Sequence, residues 1–360
     1  MPCILDAWLA GKCTPGAAGL AETVRTEQLA RLRAQLAYAR GRSRFYRDRL
    51  KNFSAKGFSW NDLPALPFTT ARDILDWKSF LCVSQGSVER VVTLESSGTS
   101  GPEKRLAFSA ADLAATKEFF RVGMGQLVQK GDRGLALWPG AQRPHGVSAL
   151  LREALVEEKV TVFMGEPLAD TENLRREIIR YNPHVIIAAP RQLAVLVALL
   201  SGKEPLDVDQ LALRGILASA ESLPSKLARM LQNRYGLLVL DHYGMTETGY
   251  GGGVECPAHD GYHLRELDIF VEIVAIESGQ PLPEGQAGEI VITTLTREAM
   301  PLIRYRTGDV ASLLPGPCRC GSPLRRLSPI KGRIVHEGAT YRIATITKGS
   351  FRERSVHASL

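Results

Sequence analysis

Residues Leu94 to Arg105 read LESSGTSGPEKR. Four hydroxyl side chains, Ser96, Ser97, Thr99 and Ser100, surround Gly98 and Gly101, and Lys104 closes the run. Glycine lets backbone N–H groups approach an anion with no Cβ in the way, and hydroxyls add donors. A terminal lysine brings a compact, mobile positive charge suited to phosphate oxygens. No G-x-x-x-x-G-K-[ST] string occurs, so this is not the P-loop of kinases and GTPases. Taken alone, a solvated Ser/Gly turn is the competing reading.

The composition of the 360 residues is that of an ordinary soluble protein, 44% apolar and 23% charged, long enough for one large domain or two to three smaller ones. Formal net charge is +7, with acids scattered among the bases. The densest basic patch, Arg31 to Arg49, reads as a solvated helix face rather than a nucleic-acid site, and an anionic substrate is enough to use the surplus. No run has the apolar length of a membrane span, and MPCILDAWLAGK lacks the basic start of a signal peptide. Six cysteines without such a signal point to a reducing cytoplasm rather than a disulfide framework.

Helical spacing of Leu29, Leu32, Leu36 and Ala39 predicts helix over 17–50, and Thr69 or Thr70 is the expected cap after LPALPFTT. Val91–Leu94 reads as a strand running straight into the Ser/Gly loop. Helices are expected at 110–129, 147–158, 171–181, 192–200 and 224–235. Between them fall apolar strands at 134–138, 160–164, 185–189, 215–218 and 237–240. Such alternation means βαβ units and largely parallel sheet. From 249 to 315 the β-branched runs Ile269–Val274 and Glu289–Thr294 follow without helices between them, which predicts an antiparallel β subdomain. The expected organisation is an α/β body over 1–240, a β-rich subdomain over 241–331 and a short tail over 332–360.

Two further stretches carry chemistry. Asp241-His242-Tyr243-Gly244-Met245-Thr246-Glu247-Thr248 follows a strand, where open parallel sheets bind ligands. Tyr243 can stack on a base, Thr246 can donate to phosphate, and Glu247 offers a hard oxygen to Mg²⁺. Tyr305-Arg306-Thr307-Gly308-Asp309 sets a carboxylate beside a glycine turn, suited to accept both ribose hydroxyls. A well-capped turn and a salt-bridged turn are the plainer readings of the two.

SSGTSG, YGMTE and RTGD, in this order, resemble the motifs of the ANL superfamily of adenylate-forming enzymes. PFTT (67–70) and ASAES (218–222) are similar to its phenylacetate–CoA ligase-like branch. The resemblance implies that superfamily's large N-terminal domain, with layered, largely parallel sheets, flanking helices and an antiparallel subdomain. It implies an ATP/AMP site in which Ser96, Ser97, Gly98, Thr99, Ser100, Gly101 and Lys104 embrace the β- and γ-phosphates. Ala220, Glu221, Ser222, Asp241, His242 and Tyr243 would line the adenine, Thr246 the α-phosphate, Glu247 the Mg²⁺, and Asp309 the ribose. Trp138, His145, Pro190 and Tyr243 would border a small-molecule carboxylate, an aryl acid being the expected class, with His145 near the reacting group. The implied chemistry is attack of that carboxylate on the α-phosphorus of ATP, with pyrophosphate leaving. The nucleophile is already ionised at neutral pH, so no general base is required. Glu103 stands where the family places proline.

Cys256, His263, Cys318 and Cys320 make a closed zinc set by type, with His259 as a competing ligand and scattered reduced cysteines as the other reading. Some phenylacetate–CoA ligase-like proteins are similar here and carry structural zinc. Cys3, Cys13 and Cys82 fit no site.

The resemblance weakens at the C-terminus. The family's G-R-x-D-D hinge becomes Gly332-Arg333-Ile334-Val335, and few residues remain before Leu360, so the mobile lid domain with its catalytic lysine is expected to be missing. Lys348 lacks the surroundings of that lysine. The pattern is similar to truncated adenylating proteins of phenazine antibiotic biosynthesis and, more distantly, to the acyl-protein synthetase that feeds luciferase's fatty acid reductase. It implies a biosynthetic enzyme whose acyl group passes to CoA, a carrier or a reductase, with a lid-supplying partner or a homodimer among the expected associations and no nucleic acid. The alternative is a non-catalytic nucleotide- or aryl-acid-binding partner protein.

Overall fold

The computed structural model describes residues 3–14, 18–94, 103–138, 146–165, 170–337, 340–347 and 350–355. Ser96 to Gly101, His145 and Lys348 lie outside the described residues.

Five strands form the parallel heart of the chain: β3 (Arg133–Ala136), β4 (Thr161–Met164), β5 (Val185–Ala188), β6 (Gly215–Ala218) and β7 (Leu238–Tyr243). They pair in the order β7-β6-β5-β3-β4. Their apolar runs are nearly continuous because both faces are covered. Leu135, Ile186, Ile216 and Val239 point to one face, where they meet Leu174 and Ile178 of α7 (Thr171–Tyr181), Leu193 of α8 (Pro190–Ser201) and Leu231 of α9 (Ser225–Tyr235). Ala136, Ile187, Leu217 and Leu240 point the other way, into a core shared with α5 (Ala110–Met124) and α6 (Val147–Val156).

The helices fall on these faces because of the crossovers. The β3–α6–β4 unit steps outward, and the chain then returns to lay β5 on the opposite side of β3. That reversal makes the carboxyl ends of β3 and β5 a topological switch point, where open α/β sheets bind ligands. Trp138 and Pro190 follow these two ends.

Local chemistry fixes the helix ends. Ser109 and Asp112 exchange side-chain-to-backbone bonds at the start of α5, and Asp112 also accepts from the backbone N–H groups of Glu298 and Ala299. Asp170 caps α7, which ends at Asn182 in the left-handed region (φ 39°). The helix expected over 17–50 is two, α2 (Leu20–Arg42) and α3 (Arg44–Arg49), because Ser43 turns extended and its hydroxyl caps the second. A nine-residue helix, α1 (Ile4–Lys12), precedes them, and a single turn, α4 (Trp77–Phe80), follows.

The antiparallel β region expected over 249–315 is present, and it is divided between two sheets. Instead of one appended subdomain, β8 (Gly253–Glu255), β9 (Tyr262–Leu264), β13 (Leu313–Leu314) and β14 (Arg326–Leu327) continue the central sheet beyond β7, all antiparallel, to nine strands. A second, antiparallel sheet holds β10 (Ile269–Val274), β11 (Gly288–Thr294) and β12 (Tyr305–Ala311). Residues expected as a tail add β15 (Gly332–Glu337), β16 (Thr340–Thr347) and β17 (Ser350–Ser355) to that sheet, with β15 pairing on β12. The β-branched residues Ile343, Thr345, Ile346 and Thr347 suit such a strand. A separate hairpin, β1 (Arg90–Leu94) with β2 (Lys104–Phe108), carries the Ser/Gly loop between its strands.

Candidate active site

The site lies where β2, the turn after β7 and β12 converge. Lys104, the first residue of β2, places Nζ 3.1 Å from Glu247 Oε1. Glu247 sits in the single 3₁₀ turn Thr246–Thr248 that follows β7. The Tyr305 hydroxyl donates to the same carboxylate oxygen at 3.0 Å, and Arg297 reaches the Glu247 carbonyl at 3.4 Å. Burial and the neighbouring Glu247 push the Tyr305 phenol far up, so it stays a donor. A buried carboxylate held by one ammonium and one hydroxyl has lone pairs left for a hard cation. The donor set therefore fits Mg²⁺ on Glu247.

Asp309 follows the glycine turn of β12. Gly308 has φ 78°, and its N–H donates to Glu289 Oε1, while the Arg306 guanidinium pairs with Glu289 and reaches the Ile276 carbonyl. Arg306 thus builds the turn and Asp309 faces the site. The Tyr243 hydroxyl donates to Asp309 Oδ2 at 3.3 Å, and Arg333 of β15 approaches Oδ1 at 3.6 Å. Burial pushes the Asp309 carboxyl up, and Arg333 opposes the shift.

The PFTT stretch buttresses this strand from behind. Thr69 bonds the backbone of Arg304 and Arg306 and donates its hydroxyl to the Ile303 carbonyl, while Thr70 caps the turn that contains Asp73. Thr70 thus closes the turn that leads into the short helix Asp73–Asp76, which itself has no side-chain cap, so neither threonine is its N-cap.

Of the residues expected around adenine, Ala220 stands just beyond β6 at φ 74°, a conformation that costs an L-residue energy. Exposed Glu221 pairs with Arg191 at 2.7 Å. Asp241 is buried, accepts from the Tyr262 hydroxyl at 2.6 Å, and has its carboxyl pushed up to about 7 by burial. His242 turns towards α5, with its Nδ1 2.9 Å from Ser219 Oγ and its ring 6.2 Å from that of Phe119. Burial lowers it to about 4, so it is neutral. Its ring borders an apolar cavity walled by Phe119, Met124, Leu151 and Leu217, which Trp138 also lines. Pro190 begins α8 away from that cavity, and Tyr243 is committed to Asp309.

A second cluster lies apart. Cys256, His263, Cys318 and Cys320 bring their ligand atoms within 4.8 Å of one another. Cys256 Sγ and Cys318 Sγ are 3.8 Å apart, and Cys320 Sγ is 3.7 Å from His263 Nε2. A zinc tetrahedron with bonds of roughly 2.3 Å to sulfur and 2.0 Å to nitrogen has edges of about 3.5–3.8 Å. Burial lowers His263 to about 4, leaving it neutral as a ligand must be. His259, at φ 47°, instead meets Gln232 and Glu255. Cys3, expected to be plain, comes with Asp6 within 4.8 Å of His263.

Tyr305, Tyr262, Arg297, Arg333 and Ser219 carry contacts that no motif assigned to them. Three of them had a signal: Tyr305 directly precedes RTGD, Ser219 lies in ASAES, and Arg333 lies in the Gly332-Arg333 hinge string.

The AMP-binding enzyme family model matches residues 94–296. The phenylacetate–coenzyme A ligase of Thermus thermophilus is 33% identical over 328 residues, covering 87% of this chain and 71% of that one. That of Pseudomonas putida is 30% identical over 326 residues, with the same shares covered. Among solved structures, an open conformation of 2-hydroxyisobutyryl-CoA ligase in complex with 2-HIB-AMP and CoA superposes with a TM-score of 0.76 at 19% identity, over 94% of this chain and 75% of that one. Among the described residues, no helix is long and apolar enough to cross a membrane.

Proposed function

Because the chain belongs to the AMP-binding enzyme family, in its phenylacetate–coenzyme A ligase-like branch, we propose that it activates an aryl acid with Mg·ATP to the acyl-adenylate and passes the acyl group to coenzyme A. The observation that carries this reading is the meeting of Lys104, Glu247 and Tyr305 within one hydrogen-bonded group, with Tyr243 and Asp309 beside it.

The substrate carboxylate attacks the α-phosphorus, the P–O bond to the β-phosphate breaks, and pyrophosphate carries away the electron pair and charge. Such a transfer asks for in-line placement and neutralised charge more than for covalent help. Glu247 would hold the Mg²⁺, which supplies charge neutralisation at the phosphates. Lys104, released from Glu247 by that ion, would turn its ammonium to a phosphate oxygen. Thr246, at the start of the same turn, would donate to the α-phosphate. Asp309 would accept the ribose hydroxyls, held in place by Tyr243 and Arg333. The rings of Trp138 and Phe119, which line one largely apolar wall, support an aromatic acyl group.

The zinc reading is separate. The Cys/His cluster supports a structural zinc that ties the β8–β9 connection to the β13–β14 connection, away from the reaction.

Pyrophosphate release from Mg·ATP, measured across aryl and aliphatic acids with hydroxylamine as trap, tests the adenylation step. Acid-dependent release with recovered hydroxamate is the expected result. ATP binding without release for any acid would overturn it.

A further inference from the structure

Helix α1 begins against the Cys/His cluster. Cys3 Sγ, an Asp6 carboxylate oxygen and a His263 ring nitrogen lie within 4.8 Å of one another, and His263 also belongs to the set with Cys256, Cys318 and Cys320. Asp6 is the third residue of α1, where an acid ordinarily reaches back to cap the helix start. The start of α1 has no side-chain cap among the described residues. Asp6 Oδ1 instead accepts from the Ser322 hydroxyl at 2.7 Å. Ser322 is 1% exposed, and its carbonyl accepts from the Cys318 N–H at 2.8 Å, closing the turn that bears two of the thiols. Asp6 therefore grips that turn and stands beside His263.

The imidazole gives this placement a purpose. His263 Nε2 is 3.7 Å from Cys320 Sγ, so it is the nitrogen that faces the thiols. A neutral ring that binds a metal through Nε2 carries its proton on Nδ1. Nδ1 is buried and has no hydrogen-bond partner among the described residues. Metal-bound histidines almost always donate this second N–H to a carboxylate, a carbonyl or water, which fixes the ring and raises its basicity. The nearby Asp260 is committed elsewhere, to the Arg326 guanidinium at 2.6 Å and the Arg319 N–H at 3.2 Å. Asp6 keeps lone pairs after accepting from Ser322, and it is the carboxylate within reach.

Resting on the structural-zinc reading, we infer that Asp6 is a positioning residue for the zinc ligand His263, and that through it metal binding fastens α1 to the body of the protein. Cys3 stands beside the set and is not a fifth ligand, because three thiolates and one imidazole already close a tetrahedron. The nine residues of α1 are too few to hold a helix by themselves, so its order depends on what it docks against. Buried Leu5 and Leu9 supply part of that, as do Trp8 and Lys12, which both bond Glu118 of α5. The metal centre supplies the rest at the first turn.

The experiment uses the full chain and zinc itself. Affinity is read by competition with a chromophoric chelator, and hydrogen exchange of residues 4–12 is followed by mass spectrometry with and without zinc. Zinc is expected to slow exchange in α1 about ten-fold or more. Asp6→Ala is expected to weaken zinc binding by about ten- to a hundred-fold, the range for lost partners of metal ligands. Asp6→Asn still accepts a hydrogen bond and should recover part of the loss. Melting curves report whether each variant is folded, and the wild-type exchange data test the inference even where a variant is not. Zinc held as tightly by folded Asp6→Ala as by wild type overturns it, as does α1 exchange that zinc leaves unchanged. Wild-type protein that binds no zinc would instead sink the zinc reading, and this inference with it.

Discussion

Lys104 Nζ lies 3.1 Å from Glu247 Oε1, joining the strand that leaves the Ser/Gly loop to the turn after β7. The lysine side chain is 20% exposed and the carboxylate 5%, so the lysine is the partner free to move. Lys104→Ala is expected to raise KM for ATP and to slow adenylation by about ten- to a hundred-fold, the range of a lost charge-assisted bond. Thermal stability should change little, because Tyr305 still covers Glu247. Initial rates against ATP concentration, with a melting curve, check both halves.

Asp309 is held by Tyr243 and Arg333 in a position suited to a ribose. Asp309→Asn is expected to raise KM for ATP about ten-fold with little change in kcat, the signature of uniform binding. Deoxy analogues of ATP give the sharper check. They should be poor substrates for the wild type, while the variant should barely distinguish them from ATP.

The Cys256–His263–Cys318–Cys320 cluster should bind about one zinc ion per chain, read by metal analysis of purified protein. Removal with a chelator, or Cys318→Ser, is expected to lower the melting temperature by several degrees, because ligand binding to the native state is folding free energy. An unchanged melting temperature in metal-free protein would contradict a structural role.

Asp241 gives a pH prediction. Its carboxyl is pushed up to about 7 by burial, against roughly 3.9 in an unfolded chain. Between those values the native state holds the proton and the unfolded state does not, so stability falls as pH rises, and the loss is complete above the folded value. Asp241→Asn removes the titration. Its melting temperature relative to wild type is expected to rise from pH 4 to pH 8. His242, lowered to about 4, works in the opposite sense, its contribution being lost as pH falls from about 6.5. It is common to both proteins and cancels in the difference.

The parallel strands were legible because burial on both faces writes runs such as Val185–Ala188 and Gly215–Ala218 into the chain. The short strands β8 and β9 were not. Their three-residue spans contain little pattern, and it is the edge of β7 that recruits them to the central sheet. Residues 332–360 read as a tail because the family's G-R-x-D-D string breaks at Ile334, although Ile343, Thr345, Ile346 and Thr347 are β-branched as a strand's residues often are. At the site, the motif strings were readable because turns are encoded locally. Which side chains meet across sheets was not. Tyr305 on Glu247, Arg333 beside Asp309 and Ser219 on His242 are pairings set by tertiary geometry. His242 shows the limit most plainly. Its neighbours in sequence, Asp241 and Tyr243, bond to Tyr262 and Asp309, while its own ring turns to the small cavity beside α5.

The most direct measurement is acid-dependent exchange of labelled pyrophosphate into ATP, run on wild type and Glu247→Gln. The variant keeps the shape of the side chain and loses the charge that would hold Mg²⁺. Exchange that requires an acid, and that drops by about a hundred-fold or more in Glu247→Gln, is the result expected for a carboxylate-adenylating site. Exchange that persists undiminished in the variant, or that never depends on an acid, would contradict it.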